Sequence, residues 1–319
     1  MASQIISSRL LLLALPVLAC VFPCSCHARA TDNNGARIRG MFVFGSSLVD
    51  NGNNNFLKNS IAKADFLPYG IDFPSGPSGR FTNGKNVIDL LCDQLKLPLV
   101  PAFSHPSTQG RKIIHGVNYA SGASGILDDT GSRAGNAISL NQQLRNFEEV
   151  TLPDLEAQMG FRRRELLPEF LFVVGTGGND YSFNYFLRQS TANASLEVFT
   201  ANLTKILSGR LQPDGDGQPT RTPWMHSSVE QGSSPLQCSL EVLGRYTTSS
   251  CCEVMALNRG GNGVLCKKEG KACEDRNSHV FFDGLHPTEA VNIQIATKAY
   301  NSNLTSEVYP INVKQLSMF

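Results

Sequence analysis

The sequence has no block of basic or acidic residues, and its formal net charge is only +1. Proteins that bind nucleic acids or anionic membranes usually carry clustered Lys and Arg, so the charge pattern favours neither kind of partner. Beyond residue 30, no apolar run approaches the length of about 18 residues that marks a membrane-spanning helix. We therefore expect a mature protein without stable membrane insertion, and the sequence leaves its oligomeric state open.

Two kinds of metal site are also missing. No Cys-x-x-Cys is followed by a second such pair, which argues against a structural zinc site. The asparagine-rich stretch 50–55 does not match the ligand spacing of a calcium loop. We therefore predict no metal ligands.

The first 30 residues differ in kind from the rest of the chain. Arg9 precedes an apolar run from Leu10 to Val21, and Ala28-Arg29-Ala30 then offers a small-x-small cleavage site. This order is typical of a secretory signal peptide, whose apolar core is too short to span a membrane. The alternative is a buried N-terminal helix. We predict a signal peptide at 1–30, a secreted, extracellular protein, and a single domain at 31–319.

Secretion affects how the cysteines and sequons are interpreted. Six of the nine cysteines follow the signal peptide: Cys92, Cys238, Cys251, Cys252, Cys266 and Cys273. An even number in an oxidising compartment favours disulfides over zinc, although the pairing does not follow from the sequence. The sequons at Asn193, Asn202 and Asn303 are predicted glycosylation sites.

Short apolar runs alternate with helical patterns along the chain. Runs without helical periodicity predict strands at Met41–Phe44, Ile113–Ala120, Leu171–Val174 and Val280–Phe282. Apolar residues at helical spacing predict helices at 87–95, 140–150, 196–207 and 288–300. This alternation favours an α/β fold, in which a parallel sheet lies between helices and reactive residues collect at the carboxyl ends of its strands.

One stretch interrupts this pattern. Residues 212–235 contain only three large apolar side chains, Trp224, Met225 and Val229. A structureless insert of this length is uncommon inside a compact domain. We predict a low-complexity, disordered insert near 212–243, or the absence of a segment that the fold normally carries.

Two short motifs suggest nucleophilic catalysis. Ser47, in Gly45-Ser46-Ser47-Leu48, directly follows the first predicted strand, where its hydroxyl would face the crevice at the strand ends. Asp283 and His286 follow the last predicted strand, and their spacing allows the carboxylate to orient the imidazole as a base for a serine. Each motif alone is also typical of a structural feature, a helix cap or a capped turn.

Two further residues follow the remaining strands. Asn179 offers a side-chain amide after the third strand, and Gly122 an unobstructed backbone N–H after the second. Together with the N–H of Ser47 they would form an oxyanion hole. Separately, each stretch is more often an ordinary glycine turn.

The motifs together resemble the plant-type GDSL lipase/esterase family, a branch of the SGNH hydrolases. The stretches that carry the resemblance are 42–54, 116–125, 175–181 and 281–288, within about residues 40–210 and 244–310. The resemblance implies a three-layer α/β/α sandwich around a parallel sheet. It also implies cleavage of carboxylic esters, often of lipids, without a cofactor.

Carried over residue by residue, the resemblance implies that Ser47 is the nucleophile and that Asp283 orients His286. It likewise implies that Gly122 and Asn179 complete the oxyanion hole. The chain departs from the family pattern at Ser46, where the family has an acidic residue. It departs again after Arg210, where family members carry another strand and helix, so we expect an internal strand to be missing.

These observations predict a secreted ester hydrolase that forms a serine acyl-enzyme on a small-molecule lipid or other acyl ester. A relative that binds a ligand or partner without turnover is the alternative, since Ser46 and the missing strand both bear on activity. A chain that does not fold is a further alternative, because losing an internal strand removes much of a stability of about 5–15 kcal/mol. Transfer of the acyl group to an alcohol is chemically equivalent and stays open.

Overall fold

A computed structural model describes residues 18–19, 38–160, 167–187, 195–211, 246–255 and 263–318. The signal peptide apart from residues 18–19, the sequon at Asn193, Cys238 and the insert at 212–243 lie outside the described residues. Among the residues that are described, no helix has both the length and the apolar character needed to cross a membrane.

The central strands are short and almost wholly apolar. The described strands are β1 (Leu18–Ala19), β2 (Gly40–Gly45), β3 (Phe170–Gly175), β4 (Tyr246–Ser250) and β5 (His279–Phe281). β2 and β3 pair in parallel, with Gly40 opposite Phe170 and Gly45 opposite Gly175. Every residue of both strands is buried, so neither face of this sheet is left to solvent. The predicted strands at 41–44 and 171–174 are confirmed.

The strand predicted at Ile113–Ala120 is wrong at its start. Gly110–Ile113 forms a 3₁₀ turn, and an extended segment follows it. This segment runs along the outer edge of β2, where Met41 donates to His115 at 3.0 Å and Tyr119 donates to Val43 at 2.7 Å. Its regular pairing is reduced to isolated parallel bridges at Asn118. The segment therefore adds an irregular third member to the parallel sheet.

Helices cover both faces of the sheet. They are α1 (Val87–Leu95), α2 (Leu140–Arg145), α3 (Leu152–Met159), α4 (Leu196–Leu211), α5 (Glu289–Asn301) and α6 (Val313–Leu316). Alternate strand residues such as Phe42 and Phe172 pack with α2, α3 and α4, whereas Val43 and Val173 pack with α1, α5 and α6. The molecule is thus a three-layer α/β/α sandwich, as expected.

α1 matches its predicted bounds because its ends are marked chemically. The Asn86 side chain accepts from the N–H groups of Ile88 and Asp89, and Asp89 returns a bond to the Asn86 N–H. Lys96 then ends the helix in a left-handed conformation. The pattern at 140–150, by contrast, is divided into α2, a π-helical turn at Asn146–Thr151 and α3.

The described strands fall into two separate hydrogen-bonded groups. β1 pairs antiparallel with the second edge of β3, and β5 pairs only with β4, in a small parallel sheet. The strand that leads to Asp283 is therefore not bonded to the strands that lead to Ser47 and Asn179. The sequence predicts a single sheet that lacks a strand, whereas the described strands form two sheets.

Two disulfides fasten the β4–β5 region. They join Cys251 to Cys273 and Cys252 to Cys266. The prediction of disulfides is confirmed for these four residues but not for Cys92, which is a free thiol on α1. Burial raises the pKa of Cys92 to about 12, so the thiol stays protonated and unreactive.

Candidate active site

Ser47 lies on a tight turn at the carboxyl end of β2. Gly45 has a φ of +138°, and a Cβ at this position would come within 2.1 Å of the Gly175 carbonyl oxygen. The side chain of Gln143 accepts from the Gly45 N–H at 2.8 Å and donates to the Gly45 carbonyl at 2.9 Å. The chain therefore bends abruptly after β2, with Ser47 just beyond the bend.

Asp283 and His286 share one turn after β5. The Phe282 N–H donates to the His286 carbonyl at 2.7 Å, which closes the turn. One carboxylate oxygen of Asp283, Oδ1, accepts from the N–H groups of Leu285 and His286, at 2.8 and 2.7 Å. The other, Oδ2, lies 2.7 Å from His286 Nδ1. The carboxylate is thus bound to the backbone of its own turn while it orients the imidazole.

The structure brings the predicted serine and histidine into contact. His286 Nε2 lies 2.8 Å from Ser47 Oγ, although the two residues are 239 positions apart in the chain. The side chains are almost inaccessible to solvent, with Ser47 exposed by 6%, His286 by 3% and Asp283 by 0%. Phe81 packs against the imidazole, with ring centroids 4.8 Å apart. This chain of contacts can move a proton from the hydroxyl to the imidazole.

Asn179 and Gly122 are placed differently with respect to Ser47. Asn179 lies in the crevice with Ser47 and His286, and its amide nitrogen donates to the Ser124 carbonyl at 2.9 Å. One N–H of that amide is thereby used and the other is left for a ligand. The Gly122 N–H, which the sequence predicted to be unobstructed, donates to Asp50 Oδ2 at 3.0 Å. Its role in an oxyanion hole stays a prediction.

Asp50 is a buried residue that the sequence did not single out. Its other oxygen, Oδ1, accepts from the N–H groups of Gly52 and Asn53, both at 2.8 Å. Burial raises the pKa of Asp50 to about 6, although the backbone hydrogen bonds that it accepts act to lower the pKa. Asp50 therefore links the segment after Ser47 to the loop that carries Gly122.

The crevice over Ser47 is narrow. Its volume is about 30 Å³, enough for one or two water molecules. Thr176 also lines it, and in the part of the chain that the structure describes the buried Thr176 hydroxyl has no hydrogen-bond partner. The Asn179 amide and the Ser182 side chain are further polar groups of this lining.

The remaining described histidines have other surroundings. His105 contacts Ser107, and His115 contacts the Arg39 carbonyl. His279 lies with Cys251 and Cys273 in a group compact enough for a metal ion, but both sulfurs are already joined in a disulfide. The described residues thus give the serine one base, His286.

An α/β sandwich with a serine, histidine and aspartate in hydrogen-bonded order at its strand ends has the arrangement of a serine hydrolase. The family profile described as GDSL-like lipase/acylhydrolase matches residues 41–299. The chain belongs to this family, and it is a carboxylic ester hydrolase.

Similar proteins of Arabidopsis thaliana agree with this assignment. GDSL esterase/lipase At5g08460 is 35% identical over 344 residues, which cover 88% of each chain. GDSL esterase/lipase At4g16230 is 34% identical over 344 residues, covering 89% of this chain and 92% of the relative. These alignments are longer than the 319 residues of the chain itself. The relatives therefore contain residues that have no counterpart here.

Proposed function

We propose that the protein hydrolyses carboxylic esters through an acyl-enzyme on Ser47. The observation that carries this proposal is the continuous contact from Ser47 Oγ to His286 Nε2 and from His286 Nδ1 to Asp283 Oδ2, at 2.8 and 2.7 Å. A serine hydroxyl is a weak nucleophile until a base removes its proton, and this geometry supplies the base and its orienting carboxylate.

In the first half of the reaction, Ser47 Oγ attacks the ester carbonyl as its proton passes to His286 Nε2. The buried carboxylate of Asp283 stabilises the imidazolium that forms. The negative oxygen of the tetrahedral intermediate accepts from the free N–H of the Asn179 amide and from the Ser47 N–H, each worth about 3 kcal/mol. His286 then returns the proton to the departing alcohol, and the acyl group stays on Ser47.

In the second half, His286 takes a proton from a water molecule that attacks the acyl-enzyme. Collapse of this second intermediate releases the carboxylic acid and restores the Ser47 hydroxyl. An alcohol in place of water would accept the acyl group by the same steps. Gly122 joins the oxyanion hole only when its N–H turns from Asp50 to the substrate.

The substrate we propose is a lipid or another acyl ester. We expect the ester group to lie in the crevice beside Ser47, which Thr176 and Asn179 also line. A longer chain would lie beyond the crevice, along the protein surface. Turnover of p-nitrophenyl esters of increasing chain length measures this preference directly.

We also propose that the protein is secreted after removal of residues 1–30. Asn202 and Asn303 are both exposed, which is the accessibility that glycosylation requires. Asn193 is proposed on its sequon alone. The disulfides Cys251–Cys273 and Cys252–Cys266 fit the same oxidising compartment.

A fluorophosphonate probe tests the proposed nucleophile on protein recovered from the medium of expressing cells. We expect covalent labelling of the wild type and its loss in Ser47→Ala and His286→Ala. Ser46→Ala is the matched control, because the Ser46 hydroxyl makes only a long 3.4 Å contact with the Gly175 carbonyl, and labelling should persist. Sequencing the N-terminus of the same sample checks cleavage after Ala30.

A second candidate function is binding without turnover. It is favoured by Ser46, which stands where the family has an acidic residue, and by the division of the strands into two sheets. Soluble protein with a cooperative thermal transition, ester binding and no labelling would favour this alternative over the esterase. Protein that starts at Met1 would contradict the proposed secretion.

A further inference from the structure

Tyr69 lies directly behind the catalytic aspartate that we propose. Its hydroxyl donates to Asp283 Oδ2 at 2.5 Å, and its oxygen accepts from the Cys266 N–H at 3.0 Å. Tyr69 and Asp283 are both inaccessible to solvent. The aromatic ring is held by edge contacts with Phe66, Phe81 and Phe282, with centroids 5.4 to 6.0 Å apart. The hydroxyl therefore has one fixed direction, towards the carboxylate.

The Tyr69 bond completes the coordination of the carboxylate. Asp283 Oδ1 accepts from two backbone N–H groups, and Oδ2 accepts from Tyr69 and from His286 Nδ1. Each oxygen of the buried carboxylate thus meets two donors. Burial and the charge of Asp283 raise the pKa of Tyr69 well above its ordinary range, so the phenol stays protonated and donates to the carboxylate.

Tyr69 and His286 share one oxygen of Asp283, and this sharing has a consequence for the base. A donor on Oδ2 withdraws electron density from the oxygen that holds the imidazole. A carboxylate with less charge on that oxygen stabilises the imidazolium less. Removing the Tyr69 donor should therefore leave more charge on the oxygen that faces His286.

We infer that Tyr69 is a positioning residue of the esterase, which fixes the Asp283 carboxylate in the orientation that holds His286. This inference depends on the proposed function, because His286 has to act as a general base. It extends the serine–histidine–aspartate chain by a fourth side chain, 214 positions from Asp283 in sequence. The Cys266 N–H links the same hydroxyl to the Cys252–Cys266 disulfide.

Tyr69→Phe removes the hydroxyl and keeps the ring in its aromatic surroundings. We expect kcat/KM at its pH optimum to fall about tenfold, the effect of losing a hydrogen bond to a charged group. The acid limb of the kcat/KM profile should also move to higher pH, by about half a pKa unit to one unit, because His286 now binds its proton more tightly. A merely structural role would lower the amount of active protein without moving this limb.

Tyr119→Phe is the matched control. Tyr119 is as fully buried as Tyr69 but stacks on Phe44 in the layer of α2 and α3, away from Asp283. The Tyr119 hydroxyl does not contact Asp283, so its loss should leave the acid limb where the wild type has it. A Tyr69→Phe variant with a cooperative thermal transition and an unmoved limb would overturn the inference.

Replacing Tyr69 by 3-fluorotyrosine provides a test that keeps the hydroxyl. The fluorinated phenol is a stronger donor, so the acid limb should move to lower pH, opposite to the shift in Tyr69→Phe. An unchanged acid limb of the kcat/KM profile, or a shift to higher pH as expected for Tyr69→Phe, would contradict the inference. This test holds even when Tyr69→Phe does not fold.

NMR titration of the His286 imidazole separates the inference from the proposed function. Protein that shows no esterase activity but a higher His286 pKa in Tyr69→Phe would leave the positioning contact supported and refute the esterase. Protein that is active and shows an equal His286 pKa in both forms would refute the inference alone.

Discussion

Asp50 is a buried titratable group whose contribution to stability decreases as the pH rises. Its pKa is raised from 3.8 to about 6 in the folded protein. The folded state therefore binds this proton more readily than the unfolded state. The stabilising contribution is fully present below about pH 4 and is lost as the pH rises through 6. From the size of the shift it amounts to about 3 kcal/mol.

Asp50→Asn should remove this pH dependence, because an amide does not titrate. We expect the free energy of unfolding of the variant, relative to the wild type, to change by about 2.5 kcal/mol between pH 4 and pH 7. Urea unfolding across this range measures it. Asp72→Asn is a control in which the pH dependence of stability should change in the opposite direction, since Arg276 lowers the pKa of the Asp72 carboxyl. Equal pH slopes in Asp50→Asn and wild type would refute the prediction.

Residues that the sequence revealed share one property, which is local spacing. Asp283 and His286 are separated by three positions on one turn, and Ser47 directly follows an apolar strand. Tyr69 and Asp50 give no such signal. Tyr69 contacts Asp283 across 214 positions, and Asp50 contacts Gly122 across 72. Only the folded chain brings these partners together. For the same reason, the sequence predicted an unobstructed Gly122 N–H and did not reveal its bond to Asp50.

Secondary structure elements were predictable where their ends carry chemical signals. α1 has an asparagine cap and apolar residues at helical spacing, and its predicted and observed bounds agree. The segment at 113–120 is equally apolar, but Gly116 takes a φ of +99° and the parallel pairing of Asn118 is limited to isolated bridges with Val43 and Ala102. Apolar composition alone does not distinguish this irregular edge from a regular strand. The prediction of a strand from Ile113 failed for that reason.

The two disulfides close loops of similar length, but only one of them includes a residue that bonds to Tyr69. The joined residues are separated by 22 positions in Cys251–Cys273 and by 14 in Cys252–Cys266. Removing either pair as a double Cys→Ala variant should cost about 3 kcal/mol of unfolding free energy. Only the loss of Cys252–Cys266 removes the covalent restraint on residue 266, whose backbone N–H donates to the Tyr69 hydroxyl. That variant alone should also show the shifted acid limb of kcat/KM.

Thermal unfolding and pH–rate profiles of the two double variants check this prediction. The Cys251–Cys273 variant is the matched control for general loss of stability. Equal pH–rate profiles in both variants would show that the Cys252–Cys266 bridge has no particular influence on the catalytic turn.

At the scale of the whole molecule, the site joins two separately bonded sheets. Ser47 and Asn179 follow the sheet of β2 and β3, whereas Asp283 and His286 follow β5. Side chains connect the two parts: Asn83 and Lys85 bond to Glu289 at the start of α5. β1 covers the free edge of β3, but it lies inside the predicted signal peptide, so cleavage would open that edge. Both features agree with the expectation that a strand is missing after Arg210.

Restoring that strand should stabilise the protein. We would replace residues 212–243 by the corresponding segment of GDSL esterase/lipase At5g08460, whose alignment is longer than this chain. Backbone bonds on both edges and added apolar burial should raise Tm by about 10 °C, measured by calorimetry. An equally long Gly/Ser insert is the control and should give no increase. If the graft also leaves Tm unchanged, the contacts of Tyr69, Asn83 and Lys85 suffice to hold the two sheets together, and no strand is missing.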